Sequence, residues 1–395
     1  MLTFNGLISP DLSEHTSNVL TNDNAEILTF YVDNKVGWQY IDSYTYANKK
    51  YNIGKNEIRI FSTGHSDIEI EFIRSIFQRL DKLIDIDFIE MDNNNGSDID
   101  IYGINYSSLL QANGVGNVVA QTSSAGYWWD VFWKNTEDNL NLNANDKNTI
   151  IHEIGHILGL SHPNENAFDP SLTTDQTVMS YNMSPDGWDT WYSKTDIQAL
   201  QKIWGRENDN GKIQFNENSY DLSFIRTAEK KYIVRSIIGN EDITKIDQLI
   251  FQDKNFDVQK DIIGVFDQIT GMNDASGKIY RLYNSAFNRF PDPAGLEYWI
   301  SMNQSKENSY RQIANSFIES KEFKSTYGPD ISDEEYINLL YKNILDRESD
   351  VEGYNYWSNN LNLGIEDRTD ILMGFSESIE NKLIFSEETN IAAIF

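Results

Sequence analysis

Residues 152–162 read HEIGHILGLSH, and they overlap the largely apolar run IIHEIGHILGL that begins at Ile150. On a helix, His152 and His156 stand four residues apart, so their imidazoles share one face and can share a metal ion. Glu153 sits beside them, placed to take a proton from water on that metal. Gly159 follows the second histidine by three residues. Glycine adopts a positive φ readily, so it can end the helix there and turn the chain back. His162 then arrives from a new direction as a third ligand. Three neutral imidazoles leave the fourth position of a tetrahedral zinc open, which is the catalytic arrangement and not the closed structural one. A bare HExxH is common by chance, but the extended form fixes two further positions. Three of the chain's five histidines lie here. The other two, His15 in SEHT and His65 in TGHSD, have polar neighbours and read as surface residues.

Outward from this segment the pattern is mixed. EIRIF (57–61), DFIEM (87–91), DIDIYGI (98–104), GNVVAQT (116–122) and YWWDVFW (127–133) read as strands. From Asp67 to about Ile84, apolar residues recur at three- and four-residue spacing, which predicts an amphipathic helix. A second helix opens near Asp146 and carries the histidines. A third covers about Lys194 to Trp204. Residues 1–50 are rich in Asn, Asp, Ser and Tyr and show little period. They read as an N-terminal extension that wraps a domain or stays partly mobile. Residues 51–205 form the expected catalytic domain, and RENDNG (206–211) marks its end. Residues 206–270 carry short alternating runs and read as a small β-rich connecting segment. Residues 271–395 are helical and contain a repeat: RLYNSAFNRFPDPAGLEYWI (281–300) aligns with LLYKNILDRESDVEGYNYWS (339–358) at an offset of 58 residues. The same offset pairs Phe317 with Phe375 and Glu322 with Glu380. It predicts two similar helical units with a shared core, with Trp299 and Trp357 in equivalent buried positions. The fold class is therefore α+β, with an all-α repeat domain at the C-terminus.

HEIGHILGLSHP followed by TVMSY (177–181) resembles the metzincin zinc endopeptidases, and within them the serralysins, over about residues 55–205. The resemblance implies a twisted mixed sheet with an active-site helix. It implies zinc held by His152, His156 and His162, and Glu153 as general base. Met179 matches the Met-turn that passes beneath the metal. Tyr181 matches a tyrosine near the metal that can stabilise the oxyanion. It also implies an extended polypeptide substrate added to a sheet edge. GNVVAQT is the candidate edge, and the reading of it as an ordinary interior strand stands equal. Serralysins carry GGxGxDxUx calcium repeats, and none is present, so calcium has no motif here although carboxylates elsewhere could hold it. The C-terminal pattern RLYxxxFxRxPDxxGLxYW is similar to the domain-of-unknown-function family numbered 4214. Its Arg289 with Asp292, and Arg347 with Asp350, read as braces of the loop before each glycine.

Composition narrows the partners. The 395 residues carry 32 Lys and Arg against 61 Asp and Glu, a net charge of −29. Such a surface repels phosphate backbones and anionic lipids, so nucleic acid and membrane surfaces are poor partners. There is no cysteine, which excludes disulfides and thiol nucleophiles. The stretch MLTFNGLISPDLSEHTSNVL lacks the basic region and long apolar run of a secretory signal. With the acidic balance and the ending FSEETNIAAIF, this leads to the expectation of a bacterial protein secreted without a cleaved N-terminal signal. The C-terminal domain is then expected to meet an export apparatus or a cell-surface partner. The alternative is an inert protease fold in a surface or assembly protein that acts through its C-terminal module. The presence of Glu153 and Tyr181 favours the enzyme.

Overall fold

The computed structural model describes residues 2–20, 26–43, 56–107, 116–123, 126–134, 142–209, 211–328 and 330–392. Residues 44–50 of the expected extension, and the last three residues of the acidic-then-apolar ending, lie outside them. The chain divides into two compact units, Met1–Glu207 and Asn208–Phe395.

The first unit opens with helix α1 (Pro10–Leu20). A seven-stranded mixed sheet follows, built from β1 (Ile27–Val32), β2 (Val36–Ser43), β3 (Asn56–Thr63), β4 (Asp87–Glu90), β5 (Ile99–Ser107), β6 (Gly116–Ser123) and β7 (Gly126–Trp133). Three more helices are α2 (Asp67–Leu80), α3 (Ala144–Ile157) and α4 (Lys194–Trp204). β4, β1, β5 and β7 run parallel in that order, β6 adds antiparallel to β7, and the β2–β3 hairpin joins the far half of β5. Register puts Phe30, Ile99 and Trp129 on one face, where Phe30 stacks on Phe77 of α2 with ring centroids 4.2 Å apart. α2 begins with a Ser66–Glu69 capping box, which satisfies two of its orphan N–H groups.

The reading of residues 1–50 as an extension is corrected by this topology. β1 is an interior strand of the sheet, between β4 and β5. Its sequence ILTFYV is apolar but for Thr29, and its last three residues are buried, as suits a strand paired on both sides. The segment around α1 is also tied to the turn after α3. The Ser9 N–H donates to the Gly159 carbonyl at 2.8 Å, the Ser161 N–H to Leu7 at 2.7 Å, and the Thr16 hydroxyl to Ile157.

The second unit starts with a four-stranded and a three-stranded sheet between Asn208 and Asp257. Helix α5 (Gly264–Gln268) leads into α6 (Ala275–Phe287), α7 (Pro293–Gln304), α8 (Tyr310–Ile318) and α9 (Lys321–Tyr327). The set then repeats as α10 (Asp333–Leu345), α11 (Val351–Asn362), α12 (Arg368–Ser376) and α13 (Ile379–Thr389), each starting 58 residues after its counterpart. The contacts repeat as well. Asp292 and Asp350 each cap a helix by accepting from Gly295 and Gly353 at 2.8 Å. Arg289 grips Glu322 through two nitrogens, and Arg347 grips Glu380 in the same way. Trp299 packs on Phe317 and Trp357 on Phe375. The positions are equivalent, but the two tryptophans are half-buried and not buried as expected, because each lies on the outer side of its phenylalanine.

Ile213, Phe224, Val234 and Leu249 from the strands share a single core with Leu282, Phe317, Leu340 and Phe375 from the helices. The expected boundary at 270/271 therefore runs through one core. A chain cut after Glu207 is expected to give a first unit that melts cooperatively. A cut near residue 265 leaves the strands with half a core and is expected to give aggregated protein. Thermal melting of both fragments checks this, and equal behaviour contradicts it.

Candidate metal centre

α3 is capped by Asn143, whose side chain accepts from the Asp146 N–H, and it presents His152, Glu153 and His156 in its last turns. Just past the helix the chain turns at Gly159, with φ +95°, a conformation that costs glycine little and other residues much. A side chain there would also meet Ser13 of α1. The reversal brings His162 back beside the helix. One ligand atom from each of His152, His156 and His162 falls within 4.8 Å of the others.

The ring orientations are set by backbone carbonyls. His152 Nδ1 lies 2.9 Å from the Val178 carbonyl and His156 Nδ1 lies 2.7 Å from that of Leu160. A proton held there leaves each Nε2 with a free lone pair, as a metal ligand needs. His152 Nε2 is buried and has no hydrogen-bond partner among the described residues. Burial pushes the His152 imidazole well below its ordinary pKa, helped by His156, and pushes His156 down to about 4. Burial lowers His162 too. All three are neutral near pH 7, the form that binds metal. The orphaned nitrogen, the clustered donors and their neutrality fit a zinc site.

Glu153 is buried beside them, and burial pushes its carboxyl up to about 8. A dication close by acts in the opposite sense and favours the carboxylate. The strand β6 begins against this group: a Cβ on Gly116 would stand 2.2 Å from Glu153 Oε1. Among the described residues β6 pairs with β7 alone, so GNVVAQT is an edge strand and not an interior one. Met179 is fully buried under α3, and its sulfur would lie 2.8 Å from a Cβ at Gly155. Tyr181 is 44% exposed, with its hydroxyl 3.2 Å from His162 Nε2.

Sequence reasoning missed Asp196. Its buried carboxylate accepts from the Thr177 hydroxyl at 2.5 Å, the Val178 N–H at 3.1 Å and the Ser193 N–H at 2.8 Å. It thereby ties the start of α4 to the turn whose carbonyl orients His152. The capping-box pattern S-x-x-D at 193–196 was a signal for the cap, though not for the reach to Thr177. Asp196→Ala strands these donors and is expected to cost about 3 kcal/mol of stability. Urea denaturation measures it, and a loss under about 1 kcal/mol contradicts the role.

His15 and His65 correct the surface reading. His15 is buried edge-on to Trp129, with Nε2 3.1 Å from the Trp128 carbonyl. His65 Nδ1 lies 2.5 Å from the Asp33 carbonyl, and its Nε2 accepts from the Trp133 indole at 2.9 Å. Both bridge elements of the first unit through their rings, and neither belongs to the metal-capable trio found among the described residues.

The mixed sheet with its antiparallel edge strand, the helix bearing two histidines and a glutamate, the third histidine after the glycine turn and the buried Met179 together match what the metzincin resemblance implies. Residues 34–205 match the family described as Matrixin, a metzincin family, and residues 314–385 match a domain of unknown function, DUF4214. The chain thus carries a metzincin domain followed by a DUF4214 domain. The first match supports a zinc metalloprotease that acts on polypeptides. It begins at residue 34, ahead of the expected start at 51. The second spans from α8 to α13 and so covers one repeat and the end of the other. No curated protein matches the chain.

Proposed function

We propose that this protein is a secreted zinc endopeptidase of serralysin-like type, with His152, His156 and His162 as ligands, Glu153 as general base and Tyr181 as oxyanion donor. The observation that carries the reading is the trio of neutral imidazoles around an orphaned nitrogen, with a buried carboxylate on the same helix. When bound, zinc supplies Lewis acidity, acidifying water and polarising the scissile carbonyl. Glu153 takes the proton and returns it to the leaving nitrogen. The Tyr181 hydroxyl donates to the developing oxyanion. The side of β6 that pairs with no strand among the described residues offers backbone groups to an extended substrate beside Glu153. The serralysin-like subtype rests on Tyr181 two residues after Met179. Secretion rests on the family, whose proteases are often extracellular. Among the described residues no helix is long and apolar enough to cross a membrane.

Casein zymography with and without a zinc chelator tests the reading. A cleared band that the chelator abolishes is expected, and no clearing by zinc-loaded protein favours the inert surface or assembly protein instead. Tyr181→Phe is expected to lower kcat by about tenfold with little change in KM, because the phenol acts mainly on the transition state. Steady-state kinetics on a fluorogenic peptide decides this, and an unchanged kcat removes Tyr181 from the mechanism.

A further inference from the structure

The second unit contains a cleft of about 500 Å³ between α6, the end of α10, α13 and the chain at 220–224. Its floor is made by the repeat. α6 contributes Asn284, Ser285 and Asn288, and α10 contributes Lys342, Asn343 and Asp346, their counterparts 58 residues on. The cleft is therefore a seam where the same face of two equivalent helices meets. Asn288 and Asp346 are the left-handed caps of those helices, with φ of 48° and 49°. The rim consequently holds two helix C-termini, whose carbonyls accept hydrogen bonds and disfavour anions.

The wall chemistry is specific. Phe224, Phe290 and Phe385 are buried rings along it, and Tyr220 stands half-exposed at its edge. Between them lie neutral amides and hydroxyls. The Asn284 side chain bonds the Tyr280 hydroxyl, which donates to Glu388 at 3.1 Å, while Asn284 Oδ1 is buried without a partner among the described residues. Asn381 and Ser285 face each other on the adjoining helices. The charged lining residues are Arg281, Arg289 and Lys342, and Asp221, Asp346 and Glu388. Two of the cations are already held, Arg281 by Glu377 and Arg289 by Glu322.

A volume of this size, ringed walls, amide and hydroxyl groups, and more acids than uncommitted cations suit a ligand that is rich in hydroxyls and carries no negative charge. The cleft is lined mainly by helices whose backbone bonds are internal; only Ser223 and Phe224 belong to a strand, Ser223–Arg226, which pairs with one neighbour among the described residues. We propose that the cleft of the DUF4214-containing unit binds a neutral saccharide of roughly one or two rings, hydrogen-bonded by the asparagines of the repeat seam and stacked on Tyr220. Trp299 and Trp357 do not line it; the site is the seam and not the aromatic surface of α7 and α11. The proposal is independent of the peptidase reading.

The test is saturation-transfer NMR on the full chain with maltose, cellobiose, lactose and N,N′-diacetylchitobiose, and with galacturonic acid as an anionic probe. At least one neutral disaccharide is expected to bind with a Kd below about 10 mM, and the acid is not. Asn284→Leu and Tyr220→Ala are each expected to weaken that binding at least about tenfold. Tyr298→Ala, at an exposed ring on α7, is expected to leave it unchanged. If melting shows Asn284→Leu to be unfolded, the half-exposed Tyr220 decides alone. Binding by none of the neutral sugars, binding of the acid alone, full affinity in a folded cleft variant, or loss in Tyr298→Ala would each overturn the proposal.

Discussion

Glu153→Gln is expected to keep its zinc and to lose at least about a hundredfold in kcat/KM. The amide has nearly the shape of the carboxylate, so the packing against Gly116 at the start of β6 survives. It cannot take a proton, so the step that makes water a nucleophile loses its base. The carboxyl is also buried, which puts it near the driving force a general base needs once a dication favours its ionised form. Peptide hydrolysis and zinc content measured on the same preparation check the prediction. Near-normal hydrolysis by the zinc-loaded variant would contradict the role given to Glu153.

His152→Ala is expected to lose both metal and activity. His152 is the most buried of the three imidazoles, held by the Val178 carbonyl, which belongs to the turn that Asp196 fixes. Removing one of three protein ligands leaves two, fewer than either kind of zinc site uses. Because metal bound to the native state alone stabilises it, added zinc should raise the melting temperature of the wild type. The variant should show no such rise and no hydrolysis above background. A variant that keeps one equivalent of zinc would remove His152 from the ligand set.

The histidine motif was legible because each ligand's place follows from local geometry: four residues on a helix, then a glycine that turns. The parts that orient the ligands were not. Val178 and Leu160 act through carbonyls, and a carbonyl has no sequence signature. Asp196 announced a cap, but its second partner, Thr177, is set by the tertiary path of the turn. β1 shows the same limit. ILTFYV is compatible with a buried strand, yet its place in the sheet depends on pairing with β4 and β5, far along the chain. Polar neighbours misled the reading of His15 and His65, since SEHT and TGHSD say nothing about Trp129 and Trp133. The 58-residue repeat was legible in the Arg, Asp and Gly that its helices reuse. That its core also includes the preceding strands was not, because apolar residues at strand spacing do not name their partners.

The central claim is that three histidines hold a catalytic zinc. Elemental analysis of full-length protein purified without chelators tests it most directly. The account predicts about one zinc per chain, removable by a chelator together with peptidase activity and restored by zinc. Less than about half an equivalent, or activity that survives complete removal of the metal, would contradict it.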